Sequence, residues 1–420
     1  SVGTASVSIS SGDQMRRMLF GVIVLVVVIS GFAGGAAAST PPSDPGAGGL
    51  YEGGYGNASE PYQIANWTQL NNTRKNLDAN FTLINDLNES TAGYDSVANE
   101  TANGGNGFES IGDSGALGGP GTPFSGTFNG SRNTVDHLYI NRPNTEDIGL
   151  FGYSNGTIED IGIKNANVTG GKETGGLLGQ NDNGIVNNSY ATGNITGGGV
   201  GVGGLVGTSG WGGTVKNSYA TANVSGDDRK VGGLVGYNAA TLKNSYATGN
   251  VSGNASLVGG LVGDNAGSLE NSYTTGNVSG FSDVGGLVGE NTGTVSSSYW
   301  DVNTTNQSSS AEGTGLTTDQ LKADDSLTGF DFTNTWAVVD NSTNVSYPYL
   351  QGNVQQPAPG LADASTIASD EADSISGVTT DSPTADDTSA TGNYTVRLDK
   401  SVQANVTLNL TGSNLTASNI

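Results

Sequence analysis

The sequence contains no cysteine and a single histidine, and both scarcities exclude classes of function. Without cysteine the chain can form neither a disulfide framework nor a thiolate metal site. The one histidine, His137, is too few for the HExxH zinc site of metallopeptidases. Any Ser/His/Asp catalytic triad would have to use this single histidine. Thiol chemistry and this form of zinc hydrolysis are therefore excluded.

Positive charge is also scarce. The 420 residues include 15 lysines and arginines against 39 aspartates and glutamates, which gives a formal net charge of −24. A field of this sign repels nucleic acid phosphates and anionic lipid. We expect no nucleic-acid partner. Strong acidity without basic patches also fits a protein kept soluble in high salt, and it favours a halophilic source.

Proline is absent between Pro143 and Pro348, while glycine supplies 68 residues. Strands stacked inside a sheet use their backbone N–H groups, which proline lacks. Glycine takes positive φ at little steric cost, so we expect it at the corners where strands turn onto the next face. The composition indicates a turn-rich β architecture and not a helical enzyme.

Residues 1–38 have the order of an export signal. Two arginines precede the apolar run 19–29, and a small-residue stretch ends at Ala38. The run is shorter than the roughly 18 to 20 residues of a spanning helix, which favours a cleaved leader over an anchor. We predict a start at Met15, cleavage near Ala38 and a mature chain, without a membrane span, that is secreted or on the cell surface.

A GGLVG motif recurs through the middle of the chain. Its leucines lie 26 to 29 residues apart, at Leu150, Leu177, Leu205, Leu234, Leu261 and Leu287. A period in this range indicates a solenoid, and the segments between glycines are too short for the helices of helical repeats. We predict an all-β fold, a right-handed parallel β-helix with coils of about 27 residues whose rungs lie about 4.8 Å apart.

The repeat pattern predicts which residues of each coil face the interior and which face solvent. Leu234, Leu242 and Val251, with their copies, are expected to fill the interior. Val235 follows Leu234 directly, so strict alternation points it outward. Either the strand bends there, or the valine copies form an exposed apolar stripe.

Two further columns recur at the coil period. Asn181, Asn238, Asn265 and Asn291, interrupted by Ser154 and Ser209, are expected to form a hydrogen-bonded amide ladder at a bend. A tyrosine column is predicted to stack as a structural ladder, with sugar stacking as the alternative if it faces solvent. Its members are Tyr190, Tyr219, Tyr246, Tyr273 and Tyr299.

The repeat, a G-L-hydrophobic-G core followed by NSYATGNVSG, resembles the GLUG motif family. That family occurs in secreted adhesin-like proteins and in accessory regions of some IgA-cleaving metallopeptidases. The resemblance is close over residues 148–300 and weaker in the flanks. It implies a cell-surface repeat protein, whereas the metallopeptidase kinship fails because the zinc motif is absent.

The composition divides the chain into five regions. After the leader, 1–38, come a linker, 39–60, and the β-helix, 61–350, with GLUG-like repeats at 148–300 and capping flanks. A short amphipathic helix carrying Trp67, Leu70 and Leu77 is placed across its amino-terminal end. Residues 351–391 are an acidic Ser/Thr/Asp-rich linker. Residues 392–420 begin a small β module with strands near 394–398 and 402–410.

Paired carboxylates are the remaining route to catalysis, because some β-helices are polysaccharide lyases or glycosidases. A glycosidase needs two carboxyl groups about 5 to 9 Å apart across the sugar. The candidate acids are Asp86, Glu146, Asp147, Glu159, Asp160, Asp227, Asp228, Asp324 and Asp325. No acid column repeats from coil to coil, and residues 227–228 are typical of a solvated loop. We expect no catalytic residue, no metal site and no cofactor.

N-x-S/T sequons are abundant and one set follows the coil period: Asn194, Asn223, Asn250 and Asn277. An exported chain would offer these asparagines for N-glycosylation, although Gly-Asn-Val-Ser-Gly is also good turn chemistry. We predict a non-enzymatic, secreted or cell-surface repeat protein that is adhesin-like or structural in the envelope, glycosylated and salt-adapted. Its expected partners are envelope components, polysaccharide or another cell. The alternative is a polysaccharide-active β-helix enzyme or a carbohydrate-binding stalk.

Overall fold

The computed structural model describes residues 46–115, 121–254, 256–341, 344–353 and 359, and strand residues 378–380 and 394–396. Contacts divide the chain into Pro41–Ala368 and a second unit formed by Ser1–Thr40 with Ser369–Ile420. The predicted leader lies outside the described residues. In the second unit the described residues form an antiparallel pair, Val378–Thr380 with Tyr394–Val396. The first of these strands falls in the predicted linker 351–391, and the strand predicted at 402–410 lies outside the described residues.

The first unit is a parallel β-helix, as the repeat predicts. Each full coil passes in turn through four parallel sheets, which we call I to IV. Sheet I has five strands: Thr174–Gly175, Val202–Gly203, Val231–Gly232, Ser256–Gly259 and Ser282–Gly285. Sheet II has six: Phe151–Ser154, Leu178–Asn181, Val206–Ser209, Val235–Asn238, Val262–Asn265 and Val288–Asn291.

Sheets III and IV extend further along the chain. Sheet III has nine strands: Tyr62–Ile64, Asn80–Leu83, Thr127–Asn129, Thr157–Glu159, Ile185–Asn187, Thr214–Lys216, Thr241–Lys243, Ser268–Glu270 and Thr294–Ser296. Sheet IV has twelve: Thr134–Asp136, Tyr139–Arg142, Gly162–Gly170, Tyr190–Gly197, Tyr219–Ala220, Asn223–Gly226, Tyr246–Ala247, Val251–Gly253, Tyr273–Thr274, Val278–Ser279, Tyr299–Asp301 and Thr314–Leu316. Val206 pairs with Val235, and Val235 with Val262, so the strand register follows the sequence repeat.

Helical segments are short. They comprise the helices Trp67–Asn72, Tyr94–Val97 and Thr318–Lys322, the 3-10 turns Thr73–Lys75 and Asp324–Ser326, and the turns Gly46–Gly49 and Ala102–Gly105, which contain left-handed residues. The Asn66 side chain caps Trp67–Asn72 by accepting from the Gln69 N–H. Trp67 and Leu70 are buried as expected. Leu77 lies beyond the end of this helix, so the predicted helical face is shorter than the sequence suggests.

The adjacent apolar residues of GGLVG both point inward, because the chain bends between them. Leu234 and Val235 are fully buried. Both of their N–H groups donate to the carbonyl oxygen of Leu261 in the next coil, at 2.9 and 3.1 Å. Two successive N–H groups cannot reach one acceptor in a flat strand, whose donors alternate sides. The bend therefore resolves the alternation problem, and no exposed valine stripe exists in these coils.

The motif glycines have a different role from the one predicted. Gly232, Gly233 and Gly236 do not have positive φ. A Cβ at Gly233 would lie 2.2 Å from the Gly260 oxygen, and one at Gly236 would lie 2.4 Å from the Val202 nitrogen. These glycines are required because neighbouring backbone approaches closely. Positive φ occurs instead at other coil glycines, Gly193, Gly201 and Gly212.

Asparagine takes that conformation at the corner between sheets III and IV. Asn188, Asn217, Asn244 and Asn271 have φ from 48 to 50°. Asn tolerates the left-handed region better than most residues. The Asn244 amide also donates to Asn217 Oδ1 at 3.2 Å. The Asn of the NSY sequence is thus a structural corner residue.

The predicted buried amide ladder is present. Asn238 Nδ2 donates to Asn265 Oδ1 at 2.7 Å, and Asn265 Nδ2 donates to Asn291 Oδ1 at the same distance. Asn181 reaches the intervening Ser209 hydroxyl at 3.3 Å. Because Asn238 and Asn265 are fully buried, this ladder satisfies polar groups that water does not reach.

The segment after the last coil divides into two parts. Residues 303–311 cover the last rung: Val278 N donates to Thr305 O, and the N–H groups of Leu287 and Val288 donate to Ser310 Oγ. Residues 317–353 include two antiparallel pairs, Trp336–Ala337 with Tyr349–Leu350 and Asp340–Asn341 with Asn344–Val345. Supplying partners to the open edge is the capping role predicted for the flanks.

Residues 317–353 cover the tyrosine column. Tyr190, Tyr219 and Tyr246 stack with ring centroids 4.8 and 4.9 Å apart. Trp336 packs 5.9 Å from Tyr273, whose hydroxyl donates to the Pro348 carbonyl at 2.6 Å. The tyrosines of this column are at most 6% exposed. The column is a structural ladder, and burial rules out the sugar-stacking alternative.

The predicted linker 39–60 needs correction from Gly46 onward. Tyr51 is 3% exposed, and its ring stacks on Tyr62 with centroids 4.5 Å apart. Gly53 bridges Gln63 in the first strand of sheet III. Apolar burial of Tyr51 holds this segment against the first coil, a contact that its glycine-rich composition concealed.

Candidate functional site: an exposed asparagine column

The predicted sequon asparagines lie in one column on sheet IV. Asn194 pairs with Asn223 between neighbouring coils. Asn250 and Asn277 precede Val251 and Val278, which continue the register from Val224. Consecutive rungs of a parallel sheet lie about 4.8 Å apart, so the column is a closely spaced row.

The strand alternation places the Asn and the Ser or Thr of each sequon on the outer surface and its middle residue in the core. The middle residues, Ile195, Val224, Val251 and Val278, are at most 2% exposed. Asn194, Asn223 and Asn250 are exposed, and Asn277 is half-buried. Because N-x-S/T has a spacing of two, the Asn and the Ser or Thr project from the same face. An acceptor amide and its hydroxyl neighbour are therefore presented together.

Hydrogen bonds along the row align these side chains. Asn223 Nδ2 donates to Asn194 Oδ1 at 3.4 Å. The backbone N–H of Asn250 donates to Asn223 Oδ1 at 3.3 Å, and that of Asn277 donates to Asn250 Oδ1 at 3.2 Å. These exposed bonds orient the amides without burying them.

The column has a further member that the sequence prediction left out. Asn167, in the sequon Asn167-Val168-Thr169, pairs with Asn194 and is exposed. Its strand precedes the regular copies, and the register shifts between Ala191 and Gly193. The separation of 27 residues from Asn194 was the signal that could have identified it.

The candidate catalytic acids are dispersed in structural roles. Asp86 accepts the N–H and hydroxyl of Thr134 at 2.7 and 2.9 Å. Asp227 accepts from Asn254 at 2.7 Å, and Asp324 and Asp325 begin a 3-10 turn. Glu159 accepts from Asn129, Asp160 from Asn188, and Asp228 lies 4.0 Å from Arg229. Within the described ranges, no group of three or more His, Asp or Glu residues could hold a metal ion.

Asp147 belongs to a close acidic pair with Glu173. Both residues have left-handed backbone, with φ of 56 and 58°. Burial, followed by the interaction with Asp147, raises the pKa of Glu173 to about 7. Lys172, whose Nζ lies 3.4 Å from Glu173 Oε1, opposes this shift. Ser114 donates its backbone N–H to Asp147 at 3.1 Å, so the pair is anchored within the fold. Glu146 is largely exposed and lies 3.6 Å from Lys172.

The helices in the described part of the chain are all too short or too polar to cross a membrane.

Comparison with known proteins supports the repeat assignment. The GLUG motif model matches residues 170–196 and 230–252, so the chain carries GLUG motifs. Halomucin from Haloquadratum walsbyi is 39% identical over 88 residues. That match covers 20% of this chain and 1% of halomucin, so the chain spans a small part of that relative.

A solved structure shares the fold. It is a proposed immunoglobulin A1 protease from Bacteroides ovatus, with a TM-score of 0.56 and 24% sequence identity. The match covers 73% of this chain and 97% of the other. At this identity the likeness concerns the architecture alone.

Proposed function

We propose that this chain is an exported, non-enzymatic repeat protein of the cell surface, adhesin-like or structural in the envelope, whose β-helix displays a row of N-linked glycans. The observation that carries the proposal is the sequon column, exposed and in register on sheet IV. Four of its asparagines were predicted as glycosylation sites: Asn194, Asn223, Asn250 and Asn277. The GLUG motifs and the similarity to halomucin support a surface repeat protein.

The proposal assigns the long β-helix a role in presentation. A solenoid fixes surface groups at regular intervals on a rigid support. The row spacing of about 4.8 Å leaves little room for bulky glycans on every rung, so partial occupancy is expected. Occupied sites would shield this edge and leave other faces to contact envelope components, polysaccharide or another cell.

The charge supports a salt-adapted setting for this function. With a net charge of −24, like charges repel most at low ionic strength. The Debye length falls from about 30 Å at 0.01 M to about 3 Å at 1 M salt. The unfolding temperature should therefore rise over this range, and a flat response would remove the argument for a halophilic source.

Export is tested on intact cells of the source organism. Brief protease treatment should release peptides of the β-helix from the surface, and the mature chain should begin near Ser39. Lysis controls should show that a cytoplasmic marker stays intact under the same treatment. Finding the chain only inside cells, or finding surface protein that retains Met15, would contradict the export model.

A further inference from the structure

An open groove of about 410 Å³ lies beside the start of sheet IV. One wall comes from residues 89–100, part of the chain between the sheet III strands Asn80–Leu83 and Thr127–Asn129. The other wall is formed by residues around His137 and Asn165. Insertions on a regular scaffold are common places for binding residues, and this volume falls within the usual range for ligand sites.

Hydrogen bonds and ring packing fix the two walls relative to each other. The Tyr94 hydroxyl donates to the His137 carbonyl at 3.1 Å across the groove. The Tyr94 ring lies 5.5 Å from the ring of buried Trp67, whose Nε1 donates to Asn88 O at 2.9 Å. On the opposite side, Phe108 N donates to Tyr139 O at 2.8 Å. The groove is therefore a built feature of the first coils.

Two residues that line the groove have left-handed backbone. His137 and Asn165 have φ of 61 and 47°, and both line the groove. His137 Nδ1 lies 2.9 Å from Asp136 Oδ1, which also accepts from Asn165 Nδ2 at 2.9 Å. Asn and His adopt left-handed backbone more readily than most residues, and here it places both residues beside the groove.

The polar groups facing the groove are available to a ligand. Among the described residues, the carboxylates of Glu89 and Glu100, the Asn167 amide and the Tyr139 hydroxyl have no hydrogen-bond partner. Glu89, Glu100 and Asn167 are exposed, whereas Tyr94 and Tyr139 are half-buried. Carboxylate and amide groups can bind hydroxyl groups, while tyrosine rings offer apolar surface.

We propose that this groove binds an uncharged oligosaccharide, with Tyr94 and Tyr139 contacting its apolar ring faces and with Glu89, Glu100 and Asn167 binding its hydroxyl groups. The groove lining contains acids but no Lys or Arg, so anionic saccharides are repelled. The groove shares Asn167 with the sequon column, but saccharide binding does not depend on the display function proposed above.

Two asparagines at the groove are also sequon residues, Asn99 and Asn167. A glycan attached to either would compete with a bound saccharide for the same space. The binding experiment therefore requires the full chain from a host without N-glycosylation.

Calorimetry with maltohexaose, N-acetylchitohexaose, hexagalacturonate and hexalysine tests the proposal. At least one uncharged hexasaccharide should bind, and hexagalacturonate should not. Tyr139→Ala and Glu100→Gln should each weaken that binding about tenfold or more, the size expected for losing a ring contact or a charge-assisted hydrogen bond. Trp211→Ala is the matched control, because Trp211 is 77% exposed and does not line the groove.

Circular dichroism and unfolding temperature should confirm that each variant folds. Glu100 is exposed, so Glu100→Gln keeps the test decisive if Tyr139→Ala is destabilised. The proposal is overturned if neither uncharged hexasaccharide binds at millimolar concentration, or if groove variants and the control behave alike. Binding of hexalysine alone, lost in Glu100→Gln, would instead identify a site for basic peptides.

Discussion

Two columns run side by side along sheet IV, and their surroundings are opposite. In each regular coil a tyrosine precedes a sequon asparagine by four residues, as in Tyr246 and Asn250. The tyrosines are buried beneath residues 317–353, with Trp336 packed on Tyr246 and Tyr273. Asn250 remains exposed. The same repeat thus produces one covered column and one open column.

The difference shows that periodicity fixes alignment but not accessibility. Parallel register places identical residues one above another in both columns. Residues 317–353, which are distant in sequence, bury the tyrosine column and leave the asparagine column exposed to solvent. Apolar surface on the tyrosine rings stabilises that covering segment, whereas the asparagine row offers it little apolar area to bury.

The largest expected effect compares two substitutions in one coil. Tyr246→Ala should reduce the free energy of unfolding by about 3–5 kcal/mol, because it leaves a cavity in a stacked column. Asn250→Ala should change it by no more than about 0.5 kcal/mol, as expected for an exposed position. Chemical denaturation measures both. Equal costs for the two variants would show that the columns do not differ in burial.

A substitution within residues 317–353, which cover the tyrosine column, should destabilise the protein more locally. Trp336 is fully buried, and its ring lies 4.6 Å from Phe330. Trp336→Ala should weaken residues 317–353 by about 3 kcal/mol while leaving the coils folded. Hydrogen exchange should then show faster exchange in this segment than around Leu234. Uniform loss of protection through the coils would mean that the segment and the β-helix unfold as one unit.

Of the two columns, only the tyrosine column should lose stability at alkaline pH, because asparagine does not titrate. Burial raises the pKa of Tyr246 and Tyr273 well above the usual value of 10.0. The unfolded chain ionises first, so this stabilisation is complete below about pH 10 and is lost as pH rises toward the folded-state pKa. The free energy of unfolding should fall above pH 10, with a smaller slope in Tyr246→Phe. An unchanged slope in that variant would argue against the buried phenol as the cause.

Much of the scaffold follows from local sequence. The spacing of Leu150 through Leu287 predicts the coil, and the interior positions of Leu234, Leu242 and Val251 are confirmed as buried. The bend at Val235 and the role of Gly236 could not be predicted from the alternation of apolar residues alone. Both depend on backbone from a neighbouring coil, which a single repeat does not reveal.

The candidate site, like the fold, was only partly predictable from the sequence. The period of Asn194 and Asn223 predicts a column, and the structure places it in register. Tyr273 matches the period equally well, yet its contacts with Trp336 and Pro348 come from far along the chain. The groove at His137 combines an irregular excursion with sheet IV, so no periodic signal predicts it. Long-range packing accounts for what the sequence pattern left undecided.

Quantitative glycopeptide mapping of the native surface protein tests the central claim most directly. The account predicts N-glycans at some of Asn194, Asn223, Asn250 and Asn277, with neighbouring rungs rarely modified on the same molecule. Protein from a host without N-glycosylation provides the matched unmodified control. Unmodified asparagines at all four positions, in native protein glycosylated at other sequons, would contradict a glycan-bearing column and leave these residues as turn and strand elements alone.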